Sequence, residues 1–427
     1  MNRLILWALS VLAVLPIDAA ENWPRFRGPN GQGTVDDVVF DPKVLTEPPL
    51  WTAKLPGVGV SSPIIDGNRV YITSATEYPG RNLVDHYVLC YEAASGKPLW
   101  DRKEPLIPFK KHRLNSYAST TPVIDGDRVF FSVATPAEYR VYAFDKKTTK
   151  QYWMRKLGPY QSEHGIGYSL IVADGLVIVP NEQKEKEQAG KDCEILALNA
   201  ETGETAWRLP RKVLHTPAST PCLHNGVLLT TSSAHGVSGI DPKTGTEMWS
   251  LRPMTLRVVS SPVFCDDLVF VSNGAGGAGR EMFAARIRDG NTAAAAEVAY
   301  ELKKPLVIPY VPTSVVGKTP AGKRLFTVGD FGDVTCLDPV TGNILGTVNI
   351  EGAFYGSPII LGNVLIVVSL EGVLYALSVA ETPEVLCRVE LGEASKATPA
   401  YADGRLFVRT DSQLFVFDLK IPQVPTQ

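Results

Sequence analysis

Along the chain, apolar and polar positions alternate in short runs that are broken by Asp, Asn, Thr, Pro and Gly. A two-residue period is that of half-buried strands, and nothing beyond the N-terminus holds a helical period. Two kinds of break recur. In the first, an acidic or amide residue opens a turn that closes on Gly and leads into a run ending in Trp. Glu92–Trp100 is EAASGKPLW, Asp145–Trp153 is DKKTTKQYW, Asn199–Trp207 is NAETGETAW, and Gly239–Leu251 is GIDPKTGTEMWSL. Asp338 opens another, DPVTGNILG, with Gly346 where Trp would stand; Ile287–Tyr300 and Ser378–Cys387 are eroded copies. The leading carboxylate or amide can close an Asx turn, and Gly supplies the positive φ.

The second break alternates with the first: small-small-Pro, an apolar pair, Asp-Gly, then an apolar-aromatic run. It reads SSPIIDGNRVYI (61–72), TTPVIDGDRVFF (120–131), YSLIVADGLVIV (168–179), STPCLHNGVLL (219–229) and SSPVFCDDLVFV (260–271). It continues as PTSVVGKTPAGKRLFTV (312–328), GSPIILGNVLIVV (356–368) and ATPAYADGRLFV (397–408). Each unit is therefore four strands, A and B around the Asp-Gly turn, C and D around the Asp-x-x-Thr-Gly turn. A unit of about 41 to 59 residues suits a propeller blade. The eighth unit stops after a strand C at Val416–Leu419, and PLWTAKLP (49–56), with Trp51 in the strand D position, can supply its fourth strand. The expectation is an all-β, eight-bladed β-propeller of four-stranded antiparallel blades over 49–419, closed by an N-terminal strand so that no edge is left exposed.

Trp51, Trp100, Trp153, Trp207 and Trp249 share one blade position. A buried Trp removes roughly 150–250 Å² from water, on the order of 4–6 kcal/mol as an upper figure. Wedging between neighbouring blades is a sufficient reason for them, ahead of base or sugar stacking.

The 427 residues, 44% hydrophobic and 20% charged with formal net charge −3, can bury a large core and carry no electrostatic footprint for nucleic acid. Residues 1–20 differ: Arg3 precedes an apolar run from Leu4 to Leu15, then small residues stand at Ala19 and Ala20. This is a signal-peptide pattern, so the chain is expected to be periplasmic or secreted, with no transmembrane span after cleavage. An uncleaved anchor is the alternative, because Ile17 and Asp18 fall where small residues are preferred. No Cys follows the run, which argues against a lipoprotein. An extension over 21–48 precedes the propeller and a tail over 420–427 follows it. Cys90, Cys193, Cys222, Cys265, Cys336 and Cys387 are widely spaced, mostly inside apolar runs, and read as buried thiols.

The stretch Ala197–Trp207, ALNAETGETAW, resembles the tryptophan-docking motif of the pyrroloquinoline-quinone (PQQ) repeat propellers, and the repeats cover nearly the whole chain. That superfamily holds quinoprotein alcohol dehydrogenases, which bind PQQ and calcium on the propeller axis. It also holds BamB-like proteins, BamB being the non-enzymatic scaffold of the outer-membrane β-barrel assembly machine. WPRFRGPNGQG (23–33) resembles the opening segment of many secreted bacterial BamB-like proteins. Asn273–Arg280 and IPYVPTS (308–314) resemble the fifth and sixth units of the same group. The resemblance implies a fold and no established reaction.

In a propeller the D–A and B–C connections share one face. The long insertions, Thr76–His86, Asn181–Asp192, Asn273–Glu281 and Lys103–Tyr117, all fall on it, whereas the opposite turns are minimal apart from Gly317–Lys323. A site is expected there, near the axis. Just before strand A stand Asn115 and Tyr117, His164, His215, Arg257, Tyr310, Phe354 and Tyr355, and Lys396; Arg280 closes a B–C loop. His164 and His215 are 51 positions apart, as their units are, and with Arg257 could bind an anion or carboxylate. A solvated polar funnel is the competing reading. Two His do not make a zinc site and no oxygen cluster suits calcium, so no metal is expected. NGAGGAGR (273–280) precedes no helix and is read as a flexible loop rather than a phosphate loop, and NEQKEKEQAGKD (181–192) as a solvated tip. WPRFRGPNGQG is expected to plug or clamp the ring, burying Trp23 and Phe26 and leaving Arg25 and Arg27 for a partner or an internal acid.

Quinoprotein alcohol dehydrogenases commonly carry an adjacent Cys pair beside the cofactor, and this chain has none. The expected function is therefore an exported, non-catalytic propeller that binds a protein partner or cell-surface ligand through its long-loop face, as a monomer and without a cofactor. A PQQ- and calcium-dependent dehydrogenase, and sugar or small-anion binding in the funnel, are the alternatives.

Overall fold

The structure, a computed structural model, describes residues 22–183, 193–276, 279–288, 295–303 and 305–420. The signal pattern, most of the 181–192 tip and the last seven residues lie outside them. Eight four-stranded antiparallel sheets follow one another around a ring, each ordered A-B-C-D. Blade 1 runs Ile64–Asp66, Arg69–Tyr78, Leu83–Glu92 and Pro98–Leu106; blade 2 runs Val123–Asp125, Arg128–Ala134, Tyr139–Asp145 and Gln151–Lys156. The fold is a β-propeller. Its last blade is completed by Trp51–Lys54, which pairs antiparallel with Gln413–Asp418 and places Trp51 opposite Val416. Arg409, fully buried, donates from Nη1 to the carbonyls of Ser61 and Thr73 and so ties blade 8 to blade 1.

The turn chemistry closes the C–D hairpins. Asn199 Oδ1 accepts from the amides of Glu201 and Thr202 at 2.8 and 3.0 Å, and Asp338 Oδ1 accepts from those of Val340 and Thr341 at 2.8 and 3.1 Å. These turns also receive the preceding blade. Trp51, Trp100, Trp153 and Trp207 donate their indole N–H to the carbonyls of Ala93, Lys146, Ala200 and Pro242, each in the next blade's turn, at 2.9–3.2 Å. Trp249 is buried among blade 5 residues, including Phe283 and Val269. Where Trp153 lies on the turn, Gly203 has φ +73°, and a Cβ there would sit 2.6 Å from the indole, so only glycine fits. Tyr300 does the same work in blade 5, its hydroxyl donating to Pro339 O.

One sequence expectation changes. The long insertions of blades 1 and 5 are largely prolonged strands: Arg69–Tyr78 pairs with Leu83–Glu92 to their ends, and Leu268–Ala275 with Gly279–Ile287. Continued alternation keeps these ribbons paired beyond the ring. The extension packs on the ring. Thr34–Val35 pairs parallel with Ile359–Leu361 as a fifth strand of blade 7, and Val38, Phe40 and Leu45 are buried in the core shared by blades 7, 8 and 1.

Candidate functional site

The residues that begin strand A build the axis. Ser62, Thr121, Ser169, Thr220, Ser261, Thr313, Ser357 and Thr398 occupy the same place in the eight blades and are all buried. In seven of the eight the amide donates to the hydroxyl of the next blade, Ser62 to Thr121, Thr121 to Ser169 and on to Ser357 and Thr398, at 3.0–3.1 Å. The result is a belt of hydroxyls around the channel. The signal was present in every copy, since the belt residue is the Ser or Thr at the start of the second break, but it read there only as a small residue before Pro.

Below the belt the N-terminal segment plugs the ring. Trp23 exchanges both backbone hydrogen bonds with Ile65, Pro24 O accepts from Ile124, and Gly33 O accepts from Ile360. Gln32 Oε1 accepts from the Phe264 amide. Arg25 and Arg27 correct the sequence expectation, for both are buried and end on backbone carbonyls rather than on an internal acid. Arg25 donates to Pro221 O at 2.7 Å, and Arg27 to the carbonyls of Gly31, Gln32, Thr313, Ser314 and Pro358. Burial lowers their pKa values to about 10 and about 9, which leaves both charged at neutral pH. The plug's guanidinium groups donate to carbonyls of the strand A starts and of the plug itself, while Arg25 Nε and Trp23 Nε1 are buried without a partner.

Above the plug lies a cavity of about 370 Å³, with Phe26 in its lining and the belt in its wall. Asn115, His164, Arg257, Tyr310 and Lys396 line it, joined by His112 and Tyr355; Tyr117, His215 and Arg280 do not. His215 shares its unit position with His164, but its amide and carbonyl both bond Ser233 Oγ, and Thr216 faces the cavity instead. Tyr117 folds into its own loop, its hydroxyl donating to Phe109 O at 3.1 Å and its ring lying under the Lys111 ammonium. Arg280 pairs with Asp330 at 3.2 Å, and Asp330 in turn accepts from the amides of Tyr310 and Val311, so that pair sets the Tyr310 loop.

Asn115 acts as a clamp between loops. Its Nδ2 donates to His164 O at 2.7 Å and Ile166 O at 3.1 Å. The two imidazoles that meet are therefore His112 and His164, with ring centroids 5.2 Å apart. His112 Nδ1 accepts from the Leu114 amide. Burial first, then the Arg257 charge and His112, lowers the His164 pKa, so its imidazole is neutral at pH 7. Arg257 reaches Glu163 only at 3.9 Å, and its Nε is buried without an acceptor. Lys396 pairs with Asp411 at 2.6 Å.

An eight-bladed propeller with a plugged, hydroxyl-belted axial cavity is the class that fold and site define. The chain belongs to the family described as outer membrane protein assembly factor BamB, whose model it matches over residues 84–311 and 301–382. Among solved structures, BamB from Moraxella catarrhalis is similar at 14% identity and TM-score 0.58, covering 89% of this chain and 99% of that one. The computationally designed Ika8 protein matches at 12% and 0.60, covering 87% of this chain and 100% of that one. Quinohemoprotein alcohol dehydrogenase from Comamonas testosteroni matches at 13% and 0.52, covering 96% and 83%. At these identities the likeness is one of fold. No curated protein matches the chain.

A calcium-bound quinone needs several oxygen ligands around the ion. Among the described residues no carboxylate lines the cavity, and no three His, Cys, Asp or Glu side chains gather to hold a metal. The six cysteines are buried, unpaired thiols and none lines it. This donor set does not fit the quinone–calcium pair, and no reaction is derived through it.

Proposed function

We propose that the protein is an exported, non-catalytic binding propeller that takes a protein partner on the face carrying its D–A and B–C loops. The observation that carries this reading is apolar exposure on that face. Phe331 in a B–C loop is 69% exposed and Ile107 in a D–A loop 68%, with Val58 and Leu214 also exposed on D–A loops. Val340 on the opposite face is exposed as well, at 64%, so the reading leans also on the elaborated loops, since binding residues are disproportionately carried by loops on a rigid scaffold. The prolonged ribbons of blades 1 and 5 rise on the same side. Membership of the BamB family and the signal pattern support a periplasmic or secreted location, and no helix among the described residues is long and apolar enough to cross a membrane.

The test is photo-crosslinking of the purified protein in an extract of exported proteins. A defined adduct is expected for the wild type and for Val340→Asp on the opposite face, and its loss is expected in the Ile107→Asp/Phe331→Asp variant. An adduct indifferent to the double variant sinks the reading. Calorimetric titration with PQQ and calcium is the companion measurement; saturable, calcium-dependent heat would overturn the non-catalytic assignment.

A further inference from the structure

The polar part of the axial cavity is rich in donors. Seven of the belt oxygens already accept a backbone N–H, so each hydroxyl proton must be directed elsewhere. No belt hydroxyl donates to an atom of another described residue, and all eight line the cavity. Arg257 adds a buried Nε with no acceptor and a carboxylate no nearer than 3.9 Å. Lys396, the two imidazoles, Asn115 and the hydroxyls of Tyr310 and Tyr355 add to the polar wall, which holds no carboxylate among the described residues. Buried donors without acceptors call for an acceptor-rich ligand, and beside a guanidinium that ligand is an anion. Phe26, Val60, Val259 and Val311 supply an apolar lining, and the plug closes the lower end, giving a dead-ended pocket of small-ligand size.

We propose that this cavity binds a small organic acid, its carboxylate taken by Arg257 and the belt hydroxyls and its apolar part seated against Phe26 and Val259. The site is independent of the partner face, because its polar groups lie inside the ring.

Calorimetry of the full chain in low-chloride buffer, with benzoate, hexanoate and inorganic phosphate as probes, tests it. Benzoate or hexanoate should bind saturably at one site, and phosphate, which lacks the apolar part, at least about tenfold more weakly. Arg257→Met should weaken the organic acid by about tenfold or more. Val259→Trp adds bulk to the cavity wall without changing charge and should weaken binding by about tenfold or more. Arg388→Met, an exposed cation outside the cavity, should change nothing. The proposal is overturned if neither organic acid binds saturably, if phosphate binds as tightly, if Val259→Trp retains full binding, or if Arg388→Met costs as much as Arg257→Met. Circular-dichroism melts report folding, and Val259→Trp keeps the test decisive should Arg257→Met fail to fold.

Discussion

His86 shows what burial does to one side chain. It stacks on Phe131 with centroids 6.0 Å apart and has a buried Nδ1 without a partner. Burial first, then the Arg140 charge, lowers its pKa from 6.5 to about 3. Neutral His86 belongs to the folded state, whereas the unfolded chain protonates below pH 6.5. The stability it contributes is therefore complete above pH 6.5 and is lost as pH falls toward 3, by about 5 kcal/mol at most. In chemical denaturation across that window, His86→Phe should flatten the acid limb without lowering stability at pH 7. An unchanged acid limb would assign the loss to other groups. Nothing in the residue's sequence context marked it, because one His in an alternating strand can face either way.

At the scale of the blade, the unit of cohesion is a tryptophan and the next turn's glycine. Gly203→Ala adds a Cβ 2.6 Å from the Trp153 ring at φ +73° and should cost about 2–3 kcal/mol. Trp153→Phe removes the N–H bond to Ala200 O at 3.0 Å. The double variant should show coupling of about 1–2 kcal/mol, and simple additivity would mean that the two do not act together. Blade 2 differs: Thr149 stands where the turns of blades 1, 3, 4 and 6 have Gly96, Gly203, Gly245 and Gly342, at φ +61°. Thr149→Gly is expected to stabilise by about 0.5–1 kcal/mol in the same denaturation assay. This layer was legible in the sequence, since turn residues and the Trp position recur with the repeat. The belt recurs just as regularly, yet small residues before Pro have several structural uses, and only the ring shows that seven of the eight bond a neighbour's amide.

For the whole molecule, the plug joins blades that are far apart in the chain. The amides of Ile65, Ile124, Phe264, Ile360 and Gly362 all donate to it. A chain truncated to start at Asp36 should lose hydrogen-exchange protection at those five amides, while the pairing of Glu194–Asn199 with Thr205–Pro210 in blade 3 keeps it. Protection retained at all five would make the segment dispensable to the axis. WPRFRGPNGQG announced a plug or clamp, but not that its arginines end on carbonyls.

What the sequence determined by itself was whatever repeats: strand period, turn type, eight blades, ring closure by Trp51 and the elaborated face. Those follow from local backbone preference and from one pattern used eight times. What only the tertiary structure decided was convergence on the axis. His164 and His215 hold equal places in sequence, yet a hydrogen bond to Ser233 keeps His215 out of the cavity, and the 107–117 loop brings in His112. Loops have no period to read, and their side chains point where closure of the ring and the nearest unmet backbone groups direct them.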